Sequence, residues 1–599
     1  MVFYYLVNAF KRKLEEVRNE LMRKSKRKSA LALALAAALL AALFAGVAAP
    51  GAKAAAADPS TSAPSKRSMQ AVVEAMQPGW NLGNTLDATG DDETSWGNPR
   101  VTKELIQTIA AQGYKSIRIP VTWDVHLGDA PNYQIEPAYL DRVQEVVDWA
   151  LDAKLYVMIN IHHDSWLWVS HMEKNHDEVL ARYNALWEQI ADRFKDYPSK
   201  LLFESINEPR FTDGGTTDRA KQYEMLRELT TSFHSIVRES GSQNAVRPLV
   251  LPTRETSPAQ EDLDQLYETI RSLNDPNLIA TVHYYGFWPF SVNIAGYYRF
   301  EKDTQQDIVT TFDNVYYTLV AKGIPVILGE YGLLGFDRST AVIEQGEKLK
   351  FFDYLLNDVQ SKRITHMLWD NGQHFGRLTY KWSDEELYQL MKASWKKRVA
   401  TAETDLVYVR KGAEIKDVKI KLQLNDNPLT ALFADRQKLK KGSDYELNGE
   451  ELTLKSGLLT RLTKHSHLGL HATLSARFSY GPDWRMKVCV YDTPILSDAA
   501  GTTDAFTIPI RFNGNQLATM EAFYADGSFA GPQNWTSYKE FGYTFMPDLA
   551  SGQIKLLPEF FKEVKDGEVT LKFHFWSGEI VSYKLTKTGT AVKGQAIPQ

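Results

Sequence analysis

Two glutamates carry the strongest chemical signal. Glu208 lies in Ser205-Ile206-Asn207-Glu208-Pro209, directly after the apolar run 201–206. Glu330 lies in Ile327-Leu328-Gly329-Glu330-Tyr331-Gly332, directly after the apolar run 325–329. An acid beside a buried strand is costly unless something pairs with it. Either one alone reads as a salt-bridged structural residue. Two of them, each at the end of its own strand, read as carboxylates facing one cleft. Such a pair cleaves glycosidic bonds, one as acid/base and the other as nucleophile. Other polar residues fall at equivalent places. Arg118 closes the run 116–119, His162 and His163 follow 156–161, and Asn207 precedes Glu208. His283 and Tyr285 close 278–283, and Trp369 with Asp370 closes 365–369. One polar residue at a strand end is commonplace, but a ring of them is hard to ascribe to packing.

The elements that must position them repeat. Apolar runs at 80–83, 116–119, 156–161, 201–206, 249–251, 278–283, 325–329 and 365–369 give eight candidate strands. Amphipathic stretches such as 102–112, 137–153 and 177–194 lie between most of them. Alternating strand and helix implies a parallel sheet covered by helices. Eight units within 69–400 fit a (β/α)8 barrel, in which reactive residues sit at the C-terminal strand ends. Near Thr404 the texture changes to short alternating strands with turn signals such as Asn425-Asp426-Asn427-Pro428, and no helical stretch of useful length. The same pattern returns after Tyr491, with strands expected at 506–512, 517–523 and 570–575. The fold class expected is α/β: a TIM barrel at 69–400, then all-β immunoglobulin-like sandwiches at 401–491 and 492–599.

The first 54 residues read differently. Nine Lys/Arg between Lys11 and Lys28 precede an uncharged Ala/Leu run at 30–49, and Ala52-Lys53-Ala54 offers a small-residue exit. These are the parts of a secretory signal peptide, and Met22 gives it a more ordinary length as the true start. A retained anchor helix is the alternative, since twenty residues span a bilayer. Residues 55–68 read as a flexible lead-in. The leader holds ten Lys/Arg against three Glu, so the remainder carries −12 where the whole chain carries −5. That charge argues against a partner recognised by its phosphates, and no nucleic acid is expected. One cysteine, Cys489, rules out an intramolecular disulfide framework.

Aromatic residues are the remaining excess. Eleven of the fourteen tryptophans fall between Trp80 and Trp395. Trp96, Trp123, Trp166, Trp168 and Trp288 lie at or just after expected strand ends, where they can stack on the C–H faces of sugar rings; the alternative for each is packing. Trp149, Trp187 and Trp395 lie within helices and read as core. His162-His163-Asp164 could ligate a metal, but adjacent histidines at a strand end point to opposite faces, so no metal or other cofactor is expected. The chain has no Gly-x-Ser-x-Gly elbow and no phosphate loop.

Several motifs in the right order resemble glycoside hydrolase family 5, the cellulase family. Asn207-Glu208-Pro209 carries its signature. Gly79-Trp80-Asn81-Leu82-Gly83-Asn84-Thr85-Leu86-Asp87-Ala88, Arg118-Ile119-Pro120-Val121-Thr122-Trp123 and Asn160-Ile161-His162-His163-Asp164 are similar to its subfamily 4. The resemblance spans 76–396 and implies Glu208 as acid/base and Glu330 as nucleophile, with carboxyl groups about 5–5.5 Å apart and retention of configuration. It implies supporting roles for five residues. Arg118 and Tyr285 would keep Glu330 ionised, Asn207 would bind the sugar 2-hydroxyl, and His162 and His283 would orient carboxylates and sugar. Trp369 would floor the reacting sugar, and His163, Trp96, Trp123 and Trp288 would add substrate contacts. Residues 405–491 resemble the X2 module through Leu439-Lys440-Lys441-Gly442-Ser443-Asp444-Tyr445 and Phe478-Ser479-Tyr480-Gly481, and the last segment resembles carbohydrate-binding module family 46. In that arrangement the last module can extend the cleft, with Trp535, in the polar loop 531–536, and Trp576 as candidate sugar contacts. Trp576 follows an alternating strand and packing into a core is its alternative, and the alternative for both modules is a spacer.

The activity implied is a secreted, monomeric endo-β-1,4-glucanase acting on cellulose-type β-glucan, and on xyloglucan and mixed-linkage glucan, without lasting membrane association. Xyloglucan-specific, xylan and mannan activities stay open, because groove shape decides among them. The reading from another class is a non-catalytic glucan-binding protein on a decayed barrel, against which both acids and their neighbours argue.

Overall fold

The computed structural model describes residues 68–211, 217–465 and 467–598. The leader at 1–54, with the start at Met22, and all but the last residue of the lead-in lie outside the described residues. Eight strands close into a barrel in chain order, every neighbouring pair parallel. They are β1 (Gly79–Asn81), β2 (Ser116–Ile119), β3 (Tyr156–Asn160), β4 (Leu201–Glu204), β5 (Leu249–Pro252), β6 (Leu278–Tyr284), β7 (Val326–Tyr331) and β8 (Thr365–Leu368). Local chemistry ends the connecting helices. The helix Lys103–Gln112 starts where the Thr102 side chain accepts from the Leu105 N–H, and stops at Gly113, whose φ of +114° only glycine adopts freely.

Strand alternation builds the site. Met158, Leu202, Val250, Ile279, Ile327 and Met367 form one buried cluster with Val73 and Met76 of the segment capping the barrel floor. Their strand neighbours Val157, Ile159, Leu201, Phe203, Leu249 and Leu251 belong to the larger core. Side chains two residues apart share a face. Two residues beyond Met158 is Asn160, and two beyond Leu202 is Glu204. The inward face is therefore apolar at the floor and polar at the C-terminal rim, as the barrel requires.

Strand β7 breaks this period at a useful place. Val282 pairs with Leu328, but His283 pairs with Glu330, so Gly329 is the extra residue of a β-bulge. A Cβ on Gly329 would lie 2.7 Å from Thr281 Oγ1 and 3.1 Å from His283 Nε2. Only glycine fits there, and the bulge brings Glu330 inward beside His283. The strand thus runs through Glu330 rather than ending before it.

Two β-sandwiches follow the barrel. The first pairs a five-stranded with a four-stranded sheet, the second a four-stranded with a six-stranded one. In Gly567–Phe575, Val569, Leu571, Phe573 and Phe575 are buried in strict alternation. The first sandwich also holds a helix, Ser456–Leu462, where none of useful length was expected; it buries Leu458 and Leu459. Trp576 packs with Leu406 and Ala518, edge-on to Tyr298 at 5.3 Å and beneath the Arg299 guanidinium at 4.8 Å. It is 8% exposed, so it joins barrel and modules instead of meeting sugar.

The barrel meets the first sandwich through two buried acids. Glu344 Oε2 caps the helix Gln345–Ser361, accepting from the N–H groups of Gly346 (2.8 Å) and Glu347 (3.3 Å). Asp405, 3% exposed, faces Glu344, and its Oδ2 lies 3.4 Å from Lys487 Nζ. Burial, the Asp405 charge and a hydrogen bond to Asp405 push the Glu344 carboxyl well above its ordinary value. A folded-state pKa above the unfolded one stabilises fully below the unfolded value, and that stability is lost as pH rises through the folded value. Glu344→Gln keeps a donor toward Asp405 without needing the proton. It is expected to flatten the alkaline fall in melting temperature, an effect of about 1–3 kcal/mol. Calorimetry across pH checks this, and an unchanged alkaline fall would count against the shared proton.

Candidate active site

Arg118 sits at the centre of the rim and is fully buried. Its Nε donates to Glu204 Oε2 (2.8 Å), Nη1 to Glu330 Oε1 (2.6 Å) and Asn81 Oδ1 (3.1 Å), and Nη2 to Asn207 Oδ1 (2.8 Å). Burial alone would lower the guanidinium's pKa, but Glu204 and Glu330 more than offset it and hold it above its ordinary value. One fixed cation thus ties β1, β2, β4, the loop after β4 and β7 together. Arg118→Met is expected to cost about 3–5 kcal/mol, because it leaves two buried carboxylates unpaired. Urea unfolding monitored beside kcat/KM tests this; a stable, inactive variant would restrict Arg118 to the chemistry.

The two proposed catalytic acids meet above it. Tyr285 donates its hydroxyl to Glu330 Oε2 at 2.5 Å. Burial and the Glu330 charge raise the phenol's pKa well above its ordinary value, so it keeps its proton as a donor. His283 Nδ1 lies 3.0 Å from Glu208 Oε1 and 3.5 Å from Glu330 Oε2. An oxygen of Glu208 and one of Glu330 lie within 4.8 Å of each other. Glu208 adopts a positive φ of +38°, unusual for a residue with a side chain. Its N–H donates to Thr256 Oγ1 (3.1 Å), and Pro209 accepts from the Glu255 N–H (2.8 Å), so the loop beyond β5 holds this backbone. Burial pushes the Glu208 carboxyl up, but the hydrogen bond and charge of His283, with Arg210 and Arg118, more than offset it and hold it below its ordinary value.

The histidines at the end of β3 are hydrogen-bond donors by construction. Asn160 Oδ1 accepts from the Val121 N–H (3.1 Å), so its Nδ2 is the atom that donates to His162 Nδ1 (3.0 Å). Trp166 Nε1, which can only donate, gives its hydrogen to His163 Nδ1 (2.8 Å). Both imidazoles therefore carry their hydrogen on Nε2. Burial, helped by His163, Arg118 and His283, lowers the His162 pKa well below its ordinary value, so this ring is neutral. The two adjacent histidines do not diverge as expected, because both lie in the loop beyond Asn160, with ring centroids 4.4 Å apart. Asp87, His162 and His163 do converge within metal-ligand distance. Their Nδ1 atoms are committed and their Nε2 atoms protonated, which suits hydrogen bonding better than a cation.

Trp369 lies parallel to His162, with centroids 5.9 Å apart and planes 2° apart, over Gly83, where a Cβ would come within 2.9 Å of the indole. Trp96 is 38% exposed, with its ring 5.0 Å from that of His163. Trp288 and Trp535 are half-buried and face each other at 6.1 Å, the first from the loop after β6 and the second from the last sandwich. Trp123 is no sugar platform. It is fully buried, donates Nε1–H to Asn160 O (3.0 Å) and meets Tyr139 edge-on at 5.7 Å. Trp168 is 6% exposed beneath Arg182 and is likewise packing.

Sequence reasoning missed Asn81, Asn160, Glu204, Asp87 and Thr256. The first three were accessible: each is a polar residue on the inward parity of an apolar strand. Asp87 binds the N–H groups of Asn84 (3.1 Å) and Thr85 (2.8 Å) and shapes the loop after β1. Thr256 has no sequence signal beyond its place in a loop.

A family model described as cellulase (glycosyl hydrolase family 5) matches residues 83–375. Models of carbohydrate binding domain X2 and of the carbohydrate binding domain CBM46 match 401–488 and 492–595. Endoglucanase B of Paenibacillus lautus is 63% identical over 548 residues, covering 91% of this chain and 96% of the relative. The full-length tri-modular endo-β-1,4-glucanase B of Bacillus halodurans superposes with a TM-score of 0.88 at 56% identity, covering 89% of this chain and all of that one. A tri-modular endo-β-1,4-glucanase of Bacillus licheniformis, solved with cellotetraose, gives a TM-score of 0.74 at 30% identity, covering 89% of this chain and 100% of that one.

Proposed function

This chain belongs to glycosyl hydrolase family 5 as an endoglucanase with two carbohydrate-binding modules, and on that premise we propose that it cuts internal β-1,4 bonds of cellulose-type glucan with retention of configuration. The observation that supports this is the carboxyl spacing. Oxygens of Glu208 and Glu330 within 4.8 Å of each other suit the about 5–5.5 Å carboxyl spacing of retaining enzymes better than the about 6.5–9.5 Å of inverting ones.

Glu330 attacks the anomeric carbon as the bond to the leaving oxygen breaks, and Glu208 gives that oxygen its proton. Water then attacks the glycosyl ester, its proton passes to Glu208, and Glu330 leaves as carboxylate. Arg118 and Tyr285 each donate to one oxygen of Glu330 and aim the carboxylate at the sugar. Asn207 has its Oδ1 on Arg118, which leaves its NH2 to bind the 2-hydroxyl. A sugar chain over the cleft removes water from Glu208, so its burial acts more strongly upward, the direction a general acid needs. Once Glu330 is esterified its charge is gone and Glu208 falls, the direction a base needs. Trp369 floors the reacting sugar, and Trp96, His163, Trp288 and Trp535 extend the contact.

Xyloglucan and mixed-linkage glucan are further substrates of this reading, and the chain works as an exported monomer. No helix among the described residues is long and apolar enough to cross a membrane. Proton NMR of fresh hydrolysate tests the mechanism: a β-anomer appearing first is expected, and an α-anomer first would overturn retention. A polymer panel with product sizing tests the rest. A mixture of short oligosaccharides from cellulose-type glucan is expected, and activity confined to xyloglucan would make it xyloglucan-specific.

A further inference from the structure

Lys539 is fully buried and has no carboxylate within ion-pair distance among the described residues. It lies in the short strand Tyr538–Lys539, which pairs with Met520 and Glu521. Its Nζ donates to Thr536 O (2.9 Å), Pro532 O (3.0 Å) and Gln533 O (3.4 Å). An ammonium has three hydrogens, and here three carbonyls of one loop take them. That loop carries Trp535 between two of the three. Its backbone is not at rest, since Gln533 holds a φ of +51°. Burying an ammonium without a counter-ion is costly, and a methionine would fill the same space without that cost. What the cation supplies is a shared donor set for three carbonyls of one loop, of which Gln533 O also accepts the Thr536 N–H (3.2 Å).

The loop is also seated on the barrel. The Phe541 N–H donates to Asn293 O (3.2 Å), while Asn293 Nδ2 donates to Ala518 O (3.0 Å). Gln533 Nε2 donates to Glu540 Oε2 (3.0 Å), and Arg338 of the loop after β7 lies 3.4 Å from Glu540 Oε1. The barrel therefore holds the C-terminal end of the loop, Gln533 is tied back to that end, and Lys539 holds the carbonyls on either side of Trp535. We propose that Lys539 is a positioning residue for the reaction on polymer: its ammonium is the internal cation around which the 531–540 loop folds, and it keeps Trp535 against Trp288 at the rim of the cleft. This rests on the reading of Trp535 as a sugar contact.

Burial lowers the Lys539 ammonium to about 8, opposed only by Glu563. The other charged groups nearby are Glu540, which burial raises to about 8, and Arg338 beyond it. Above that pH the cation is lost and the loop is released, so polymer turnover weakens on the alkaline side.

The test uses the full chain with Trp535→Ala, Lys539→Met and the double variant, on soluble β-glucan and on a short aryl cello-oligosaccharide. The ratio of kcat/KM on polymer to that on the short substrate is expected to fall about tenfold in either single variant, mainly through KM, and no further in the double. A normal ratio in Trp535→Ala overturns the reading of Trp535 itself. A reduced ratio there with a normal one in Lys539→Met, or two effects that multiply, overturns the role of Lys539. If Lys539→Met fails to fold, the pH dependence decides. The ratio should fall above about pH 8 in the wild type and equally in Glu540→Gln, which removes the second titrating group. A ratio flat to about pH 10 in the wild type, or an alkaline fall that vanishes in Glu540→Gln, overturns the proposal.

Discussion

Glu330→Gln is expected to lower kcat on soluble β-glucan by about 10⁴-fold or more, with the fold intact, if Glu330 is the nucleophile. The charge is what matters, because an amide oxygen cannot form and release the glycosyl ester at a useful rate. The fold should survive because glutamine still accepts one hydrogen bond, and Arg118 retains Glu204 (2.8 Å), Asn81 (3.1 Å) and Asn207 (2.8 Å). Glu330→Ala should be equally inactive but less stable, since Tyr285 Oη then loses its acceptor and Arg118 Nη1 keeps only Asn81 Oδ1 of its two. Residual activity within tenfold of wild type in either variant would remove Glu330 from the nucleophile's place. Far-UV circular dichroism and the melting temperature distinguish lost chemistry from lost structure.

Much of this arrangement was legible because a parallel barrel ties function to strand ends. Runs of three to six residues marked the strands, and the residue types just beyond them marked the cleft. Glu208, Glu330, Arg118, Asn207, His162, His283 and Tyr285 meet because their strand ends form one ring. What stayed hidden is what depends on position along the pleat. Trp123 follows a strand end just as Trp369 does. It turns down onto Asn160 O and Tyr139, while Trp369 lies beside Gly83 and parallel to His162, and nothing in the local sequence separates the two. The bulge at Gly329 was hidden in the same way. Gly-Glu at the end of a run signals a possible kink, but only the pairing of His283 with Glu330 shows that the kink turns the acid inward.

Contacts between the modules were the least legible, because they join residues far apart in the chain. Trp576 and Trp535 were both candidate sugar contacts, Trp535 from a polar loop and Trp576 from the end of an alternating strand that could equally pack a core. One is buried under Arg299 and Tyr298, and the other reaches Trp288. The Glu344–Asp405 pair carries no local signal, since neither acid is unusual until it is placed opposite the other without a solvent path. Inward-facing Glu204 could have been found. An acid at the fourth place of Leu201-Leu202-Phe203-Glu204, on the parity of Leu202, demands a buried cation, and Arg118, two strands away on β2, supplies it.

Glu208→Ala should act differently from Glu330→Gln, and the difference separates the two roles. Loss of a general acid costs most when the leaving group is a poor one. Turnover of glucan, whose leaving group is a sugar alkoxide, is expected to fall by about 10²–10⁴-fold. An aryl cellobioside with an acidic phenol needs little protonation, so its first step should be much less affected. The second step then becomes limiting and a burst of phenol should appear. Azide, which needs no general base, should raise that steady rate and yield a β-glycosyl azide. Absence of both burst and azide effect would place the acid/base elsewhere. The pH profile gives a second check on the same group. In the free enzyme His283, Arg210 and Arg118 hold Glu208 below its ordinary value, so the protonated acid is lost early as pH rises. With substrate bound, burial acts more strongly in the opposite direction. The alkaline limb of kcat/KM, which reports the free enzyme, should therefore lie at lower pH than that of kcat. Neutralising Arg210 should move the kcat/KM limb upward, because one of the charges that stabilises the carboxylate is gone. A limb unmoved by that change, and coincident in both profiles, would mean that another group sets the alkaline loss.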